Sequence, residues 1–198
     1  TILVPAFNER ETIGEVVRRL QTINWEAIQA GPEIVVIDDA STDGTGVAAA
    51  RAGAVVVSRA RRGGKGAALR DGLLAANGAI IVIQDADLEY DPEDIPALLR
   101  PLMNGEADVV YGSRFLGPCR DSFRFSHRLT NQALTALTNV LFGLRLTDQA
   151  TGYKAFVRSR LGLDKIVSNG FEICSEITAA AVARQCRIVE VPISYHPR

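Results

Sequence analysis

Soft metal ligands are scarce in this chain, which has three cysteines and two histidines among 198 residues. Cys119, Cys174 and Cys186 are odd in number and lack metal-ligand spacing, which argues against a disulfide framework or thiolate zinc site and points to a reducing compartment. His127 and His196 are too separated to nominate an imidazole zinc site. Neither charge sign is in excess, the net charge being -1, so the basic footprint of a general nucleic-acid binder is missing. No apolar run approaches the roughly 20 residues that cross a bilayer, and no secretory leader precedes the first predicted strand. Also absent are a Gly-x-Gly-x-x-Gly after that strand and a Walker-type Gly-x4-Gly-Lys-Ser/Thr, which removes the Rossmann dehydrogenases and the P-loop NTPases. The chain starts without methionine and stops at Pro197-Arg198 just beyond another strand, so flanking segments, a membrane anchor among them, are expected outside it.

What is present is concentrated at strand ends. Ile80-Ile81-Val82-Ile83 reads as a buried strand running into Gln84-Asp85-Ala86-Asp87-Leu88-Glu89, with Pro92 opening a helix. Residues two apart on an extended chain point the same way, so Asp85, Asp87 and Glu89 are expected to converge on one small volume. Three converging anions repel unless a cation shares the site, which makes a hard divalent metal the natural occupant. A helix cap or turn accounts for Asp91 but cannot use three carboxylates.

Taken in order, Thr1–Pro5, Glu33–Ile37, Ala54–Val57, the strand at Ile80 and Ala107–Gly112 alternate with helical patterns. Asn8 is placed to cap the first helix, which carries Ile13, Val16, Val17 and Leu20, and Ser41 or Thr42 the second. Such alternation predicts a single α/β domain over residues 1–198, a doubly wound, mostly parallel sheet with helices on both faces. Gly117 to Phe125 reads as a mobile loop. Leu129 to Phe142 has an apolar stripe of Leu134, Leu137, Leu141 and Phe142, expected to face the core because the other side is Thr and Asn rather than Lys and Arg. A last strand near Val191 contains Pro192, which assigns it to an edge or bulge.

Ligands of doubly wound sheets sit at the carboxyl ends of the strands, where this chain places its acids. Asp38 and Asp39, acceptor-only groups, suit a ribose or the N–H groups of a base. Gly63-Gly64-Lys65-Gly66 either brings amides and an ammonium to phosphate or is a solvated basic loop. Arg59, Arg61, Arg62, Arg114, Arg120, Arg124 and Arg128 form a candidate positive rim for an anionic substrate. Glu172 and Glu176 share a helix face, which fits solvated acids better than a site.

With VPAFNE, VIDDASTDGT, GGKGAALRDG, DADLEYDP, GSRF, TDQATGYKAF, GFEICSEITA and VEVPISYHPR in this order, the chain resembles the family 2 glycosyltransferases of GT-A fold. Within them it is similar to the dolichyl-phosphate and polyprenyl-phosphate sugar synthases. The resemblance implies that Pro5, Phe7, Glu9, Asp38 and Asp39 hold base and ribose, with Lys65, Asp85, Ala86 and Asp87 completing the nucleotide-sugar site. It implies a Mg²⁺ or Mn²⁺ on Asp85 and Asp87, with Glu89 as a further metal-proximal group. Arg114 matches a residue gathering donor diphosphate and acceptor phosphate, as does Arg198, and Arg128 is an added candidate for the acceptor phosphate. Asp85, Asp87 and Arg114 are then the catalytic set.

The implied activity is metal-dependent, inverting transfer of mannose or glucose from a GDP- or UDP-sugar to a lipid phosphate, in the cytoplasm or at the cytoplasmic face of a membrane. A phosphate acceptor, with a second pKa near 6, is already ionised and needs no dedicated base. The alternatives are transfer to a polysaccharide or cell-envelope glycan, and a non-catalytic nucleotide-binding domain.

Overall fold

The computed structural model describes residues 1–117, 125–162 and 166–197, without the side chains of 125–128. Seven strands form one sheet: β1 (Ile2–Ala6), β2 (Ile34–Asp38), β3 (Val55–Ser58), β4 (Ile80–Ile83), β5 (Val109–Ser113), β6 (Lys154–Val157) and β7 (Ile188–Pro192). Their order is β3-β2-β1-β4-β6-β5-β7, and every pairing is parallel except those of β6. The helices are α1 (Arg10–Thr22), α2 (Thr45–Arg51), α3 (Lys65–Ala75), α4 (Ile95–Met103), α5 (Phe125–Phe142), α6 (Arg158–Leu161) and α7 (Ile173–Ala183).

Alternation along the strands feeds two cores, one on each face of the sheet. Ile2, Val4, Val36 and Val82 pack with the stripes of α1 and α4, including Leu20, Leu98 and Leu102. Leu3, Val35, Ile37 and Ile81 point the other way, onto Leu69 of α3 and Ile173 and Ile177 of α7. Strands buried on both faces require the β-branched runs seen here, as expected for parallel sheets between helix layers.

Strand order reverses between β1, whose neighbours are β2 and β4, and this switch point is where a doubly wound sheet opens a crevice at the strands' carboxyl ends. Antiparallel β6 adds to that edge from the opposite direction. Ile83, the last residue of β4, pairs with Lys154, the first of β6, so the segment leading into β6 arrives beside the acids that follow β4. Pro192 closes β7, which lies at the sheet's edge.

Helix α5 departs from expectation. Leu134, Leu137, Leu141 and Phe142 are exposed, as are Leu129 and Val140, the last at 82%. Thr135 is the buried side chain among residues 129–142, and its Oγ1 accepts from the Gln149 amide at 3.2 Å. Asn139 exchanges two hydrogen bonds with the backbone of Leu146, at 2.8 and 2.9 Å. The polar side of the helix therefore docks and the apolar side faces outward. Periodicity identifies a stripe, but tertiary contacts decide what covers it.

The predicted caps also differ. Asn8 has φ +55° and caps nothing; its Oδ1 accepts from the Thr42 amide, while its own amide donates to Ser41 Oγ, joining the first two turns of the crevice. Helix α2 begins after Gly44, with the Thr45 amide bound by Asp43 at 2.9 Å. Most of the loop assigned to Gly117–Phe125 lies outside the described residues.

Candidate active site

A cavity of about 320 Å³ opens at the switch point. The end of β1 contributes Pro5, Phe7 and Glu9, the end of β2 Asp39, the start of α3 Gly64 and Lys65, and the turn after β4 Asp85, Ala86 and Asp87. Arg62 and Phe171 complete its walls, the Arg62 guanidinium lying 3.9 Å from the centroid of the Phe7 ring. The residues expected at the nucleotide site thus share one wall system, apart from Asp38. That carboxylate turns toward α2, where it accepts from the Ser41 amide at 2.9 Å.

Asp39 holds the glycine loop in shape. Its carboxylate accepts from the Gly63 amide at 2.9 Å and the Gly64 amide at 2.7 Å and pairs with Arg59, which also binds Asp71. The two amides are turned to a carboxylate of the protein, so the loop presents Lys65 to the cavity rather than an amide cradle. Gly64 sits at φ +90°, with Asn169 so close that a Cβ would lie 2.6 Å from its carbonyl oxygen, so glycine is required on both counts.

The acids after β4 do not follow strand geometry. The strand ends at Ile83, the chain turns at Ala86-Asp87, and Leu88 takes φ +64°. Asp85 pairs with the Lys65 ammonium. Asp87 Oδ1 accepts from the Glu89 amide at 3.0 Å, and the Glu89 carboxylate accepts from the Tyr195 hydroxyl at 2.8 Å. Among the described residues no three His, Cys, Asp or Glu side chains are gathered to share a metal. Period-two convergence holds only while a chain stays extended, so Asp85 and Asp87 reach the cavity and Glu89 does not line it.

Two carboxylates on one wall nevertheless suit Mg²⁺ or Mn²⁺, hard ions that combine one or two carboxylates with substrate phosphates. Lys65 already places positive charge there. Burial pulls its pKa down, but the charge and hydrogen bond of Asp85 outweigh this and hold it above the ordinary lysine value, so the ammonium persists. The pair is packed against Gly152, where a Cβ would lie 2.6 Å from Asp85 Oδ2 and 3.0 Å from Lys65 Nζ.

Arg114, just past β5, belongs to a neighbouring cluster and does not line the cavity. Its Nε and Nη2 donate to the two carboxylate oxygens of Asp148 at 2.7 and 2.8 Å, and its amide adds a third bond at 3.1 Å. Asp148 is fully buried, and its own amide and that of Thr147 are held by Glu190. Burial depresses the Arg114 pKa and Asp148 more than restores it, so the guanidinium stays charged. Its carbon lies 5.4 Å from the Tyr195 ring centroid.

Tyr195 and Tyr153 flank Tyr90, with centroids 5.4 and 5.2 Å away. The Tyr90 hydroxyl, its pKa pushed up to about 12 by burial first, accepts from the Gly152 amide at 3.1 Å. Buried Lys154 supports the same loop from below, donating to the carbonyls of Gln149 and Thr151.

Asp148, Gly152, Tyr195 and Phe171 were not individually legible. Each lies in a recognisable motif, yet nothing local says that the 148–152 loop meets Arg114 and Lys65. Glu176 serves structure, accepting from the amides of Val167 and Ser168. Arg120, Arg124, Arg198 and the Arg128 side chain lie outside the described residues.

The sequence pattern described as glycosyl transferase family 2 matches residues 1–161. The low-salt glycan biosynthesis hexosyltransferase Agl6 of Haloferax volcanii is 32% identical over 200 residues, covering 100% of this chain and 48% of that protein. The chain therefore spans about half the length of that relative. The undecaprenyl-phosphate mannosyltransferase of Micrococcus luteus is 32% identical over 208 residues, covering 99% of this chain and 83% of that protein. Among solved structures, glucosyl-3-phosphoglycerate synthase of Mycobacterium tuberculosis superposes with a TM-score of 0.78 at 27% identity, covering 100% of this chain and 71% of that one. Another structure of that enzyme, in complex with Mn²⁺, UDP and glucosyl-3-phosphoglycerate, gives 0.75 at 26% identity and the same coverage.

Proposed function

The chain belongs to glycosyl transferase family 2, and on that premise we propose that it is an inverting, metal-dependent hexosyltransferase acting from a GDP- or UDP-sugar onto a polyprenyl or dolichyl phosphate. The observation that carries this reading is the single cavity that gathers Pro5, Phe7 and Glu9 with Lys65, Asp85 and Asp87 at the switch point.

Phe7 and Pro5 offer flat apolar surface to a base, and Lys65 brings a permanent ammonium to the diphosphate. Asp85 and Asp87 are the residues that would hold Mg²⁺ or Mn²⁺, which would supply Lewis-acid neutralisation of the departing diphosphate. An acceptor phosphate oxygen attacks the anomeric carbon from the face opposite the leaving group. As the new C–O bond forms, the bond to the diphosphate breaks and the electron pair leaves with it. Arg114, locked and charged by Asp148, offers its side of the site to the acceptor phosphate. No side chain has to remove a proton, because a phosphate monoester is ionised at neutral pH.

The outward stripe of α5 supports a lipid acceptor. No helix among the described residues is long and apolar enough to cross a membrane. The exposed Leu137, Val140 and Leu141 lie on a helix whose sequence holds no acidic residue and which follows the Arg114 segment, a face suited to rest on a lipid surface. Replacing Val140 and Leu141 by Glu should abolish co-sedimentation with lipid vesicles.

The decisive assay supplies labelled GDP-mannose or UDP-glucose, Mn²⁺ and polyprenyl phosphate, and follows label into the organic phase. Label entering a polysaccharide fraction instead reassigns the acceptor. No nucleoside diphosphate release, or release indifferent to Asp87→Ala, overturns the transferase reading.

A further inference from the structure

The flat face that Phe7 offers to a base is already covered. The Arg62 guanidinium lies over it, its carbon 3.9 Å from the ring centroid, and both residues line the same cavity. A base stacked between two flat groups needs roughly 3.5 Å on each side, so the two must part before one can enter. They are held differently. Phe7 directly follows β1, and the next residue is pinned across the crevice, the Asn8 amide donating to Ser41 Oγ at 3.0 Å and the Asn8 side-chain oxygen accepting from the Thr42 amide at 2.9 Å. The backbone around Arg62 is pinned as well, the Arg59 amide donating to the Asp38 carbonyl at 3.0 Å and the Gly63 and Gly64 amides to the Asp39 carboxylate at 2.9 and 2.7 Å. The Arg62 side chain is not. It is exposed, and among the described residues its guanidinium makes no ion pair, whereas Asp39 and Asp71 both hold Arg59.

We infer that Arg62 is the movable jaw of a base clamp whose fixed jaw is Phe7: the guanidinium rests on the ring in the empty cavity and, when a nucleotide enters, withdraws by one ring thickness to stack on the outer face of the base. Guanidinium planes stack on bases as they do on aromatic side chains, so the contact passes from Phe7 to the base instead of being lost. Only one side chain on a fixed stem has to move. In the empty state the guanidinium keeps water off Phe7, and in the filled state off the base. Arg62 therefore contributes to base affinity, while the charge that faces the diphosphate is that of Lys65. This rests on the transferase reading above, in which Phe7 receives the base.

The test separates stacking from charge, with calorimetry of UDP and GDP in the presence of Mn²⁺ and pyrophosphate as a probe that lacks a base. Arg62→Ala should weaken binding of the nucleotide roughly tenfold, the size of one stacking contact, and leave pyrophosphate within about twofold of wild type. Arg62→Lys keeps the charge but not the plane and should bind nucleotide as weakly as Arg62→Ala. Arg62→Tyr supplies a plane without charge and should recover most of the loss. Tighter or unchanged nucleotide binding in Arg62→Ala overturns the inference, tighter binding making the guanidinium a competitor of the base. So does wild-type nucleotide affinity in Arg62→Lys, or an equal loss for pyrophosphate, since either assigns Arg62 to phosphate charge. Wild-type protein that binds UDP and GDP no better than pyrophosphate instead overturns the base site at Phe7 beneath it.

Discussion

Two cation–carboxylate pairs, one on the cavity wall and one in the cluster beside it, differ in how the fold uses them. Lys65 and Asp85 meet on the wall of the cavity, with 11% and 20% of their side chains exposed. Arg114 and Asp148 are bidentate, and although Arg114 is exposed about as little as Lys65, at 9%, its acid is sealed at 0% where Asp85 is open to the cavity. An open pair can exchange partners with an incoming diphosphate or cation at modest cost. A sealed pair cannot, and its use is to hold a guanidinium in one orientation. The first is thus suited to binding and the second to framing.

Three substitutions test that contrast, and a fourth comparison tests the buried and outward helix stripes. Asp148→Ala removes the bidentate partner of a buried guanidinium and should cost about 3–5 kcal/mol of unfolding free energy in urea titration. A loss below about 1 kcal/mol, typical of exposed pairs, would erase the distinction. Asp87→Ala, on the open side, should slow turnover by about 100-fold or more, roughly 2.7 kcal/mol of transition-state stabilisation, and cost about 1 kcal/mol or less in stability. Lys65→Met should weaken nucleoside diphosphate binding roughly tenfold in calorimetry, consistent with one lost charge-assisted contact. The smallest effect is expected on α5, where Leu137→Ala should shift stability by no more than about 0.5 kcal/mol, whereas Leu98→Ala in the buried stripe of α4 should cost about 2–5 kcal/mol.

The two helices show why the sequence reading succeeded in one place and failed in another. Both α4 and α5 carry apolar residues at helical spacing, and the stripe of α4, Ile95, Leu98, Leu99 and Leu102, is buried. Proximity in sequence to β4 and β5 dictated its partner. In helix α5 the backbone acceptors and donors near Leu146 and Gln149 captured the polar side instead. The acid cluster failed in a similar way. Asp85 and Asp87 were legible as a strand-end pair, but extending the period to Glu89 ignored the turn at Leu88.

By itself the sequence determined the layered α/β fold, the crevice edge and most of the residues that line the cavity. Those features are local: β-branched runs make strands, helical spacing makes stripes, and polar residues just past a strand must sit at its carboxyl end. Only the tertiary structure decided that β6 runs antiparallel and delivers Asp148 and Gly152 to that edge, that Asp39 is turned into the glycine loop, and that Tyr195 takes the Glu89 carboxylate. Each of these joins residues more than 20 positions apart through side-chain hydrogen bonds or strand register. Chain connectivity does not encode such choices; the competition for buried polar partners does.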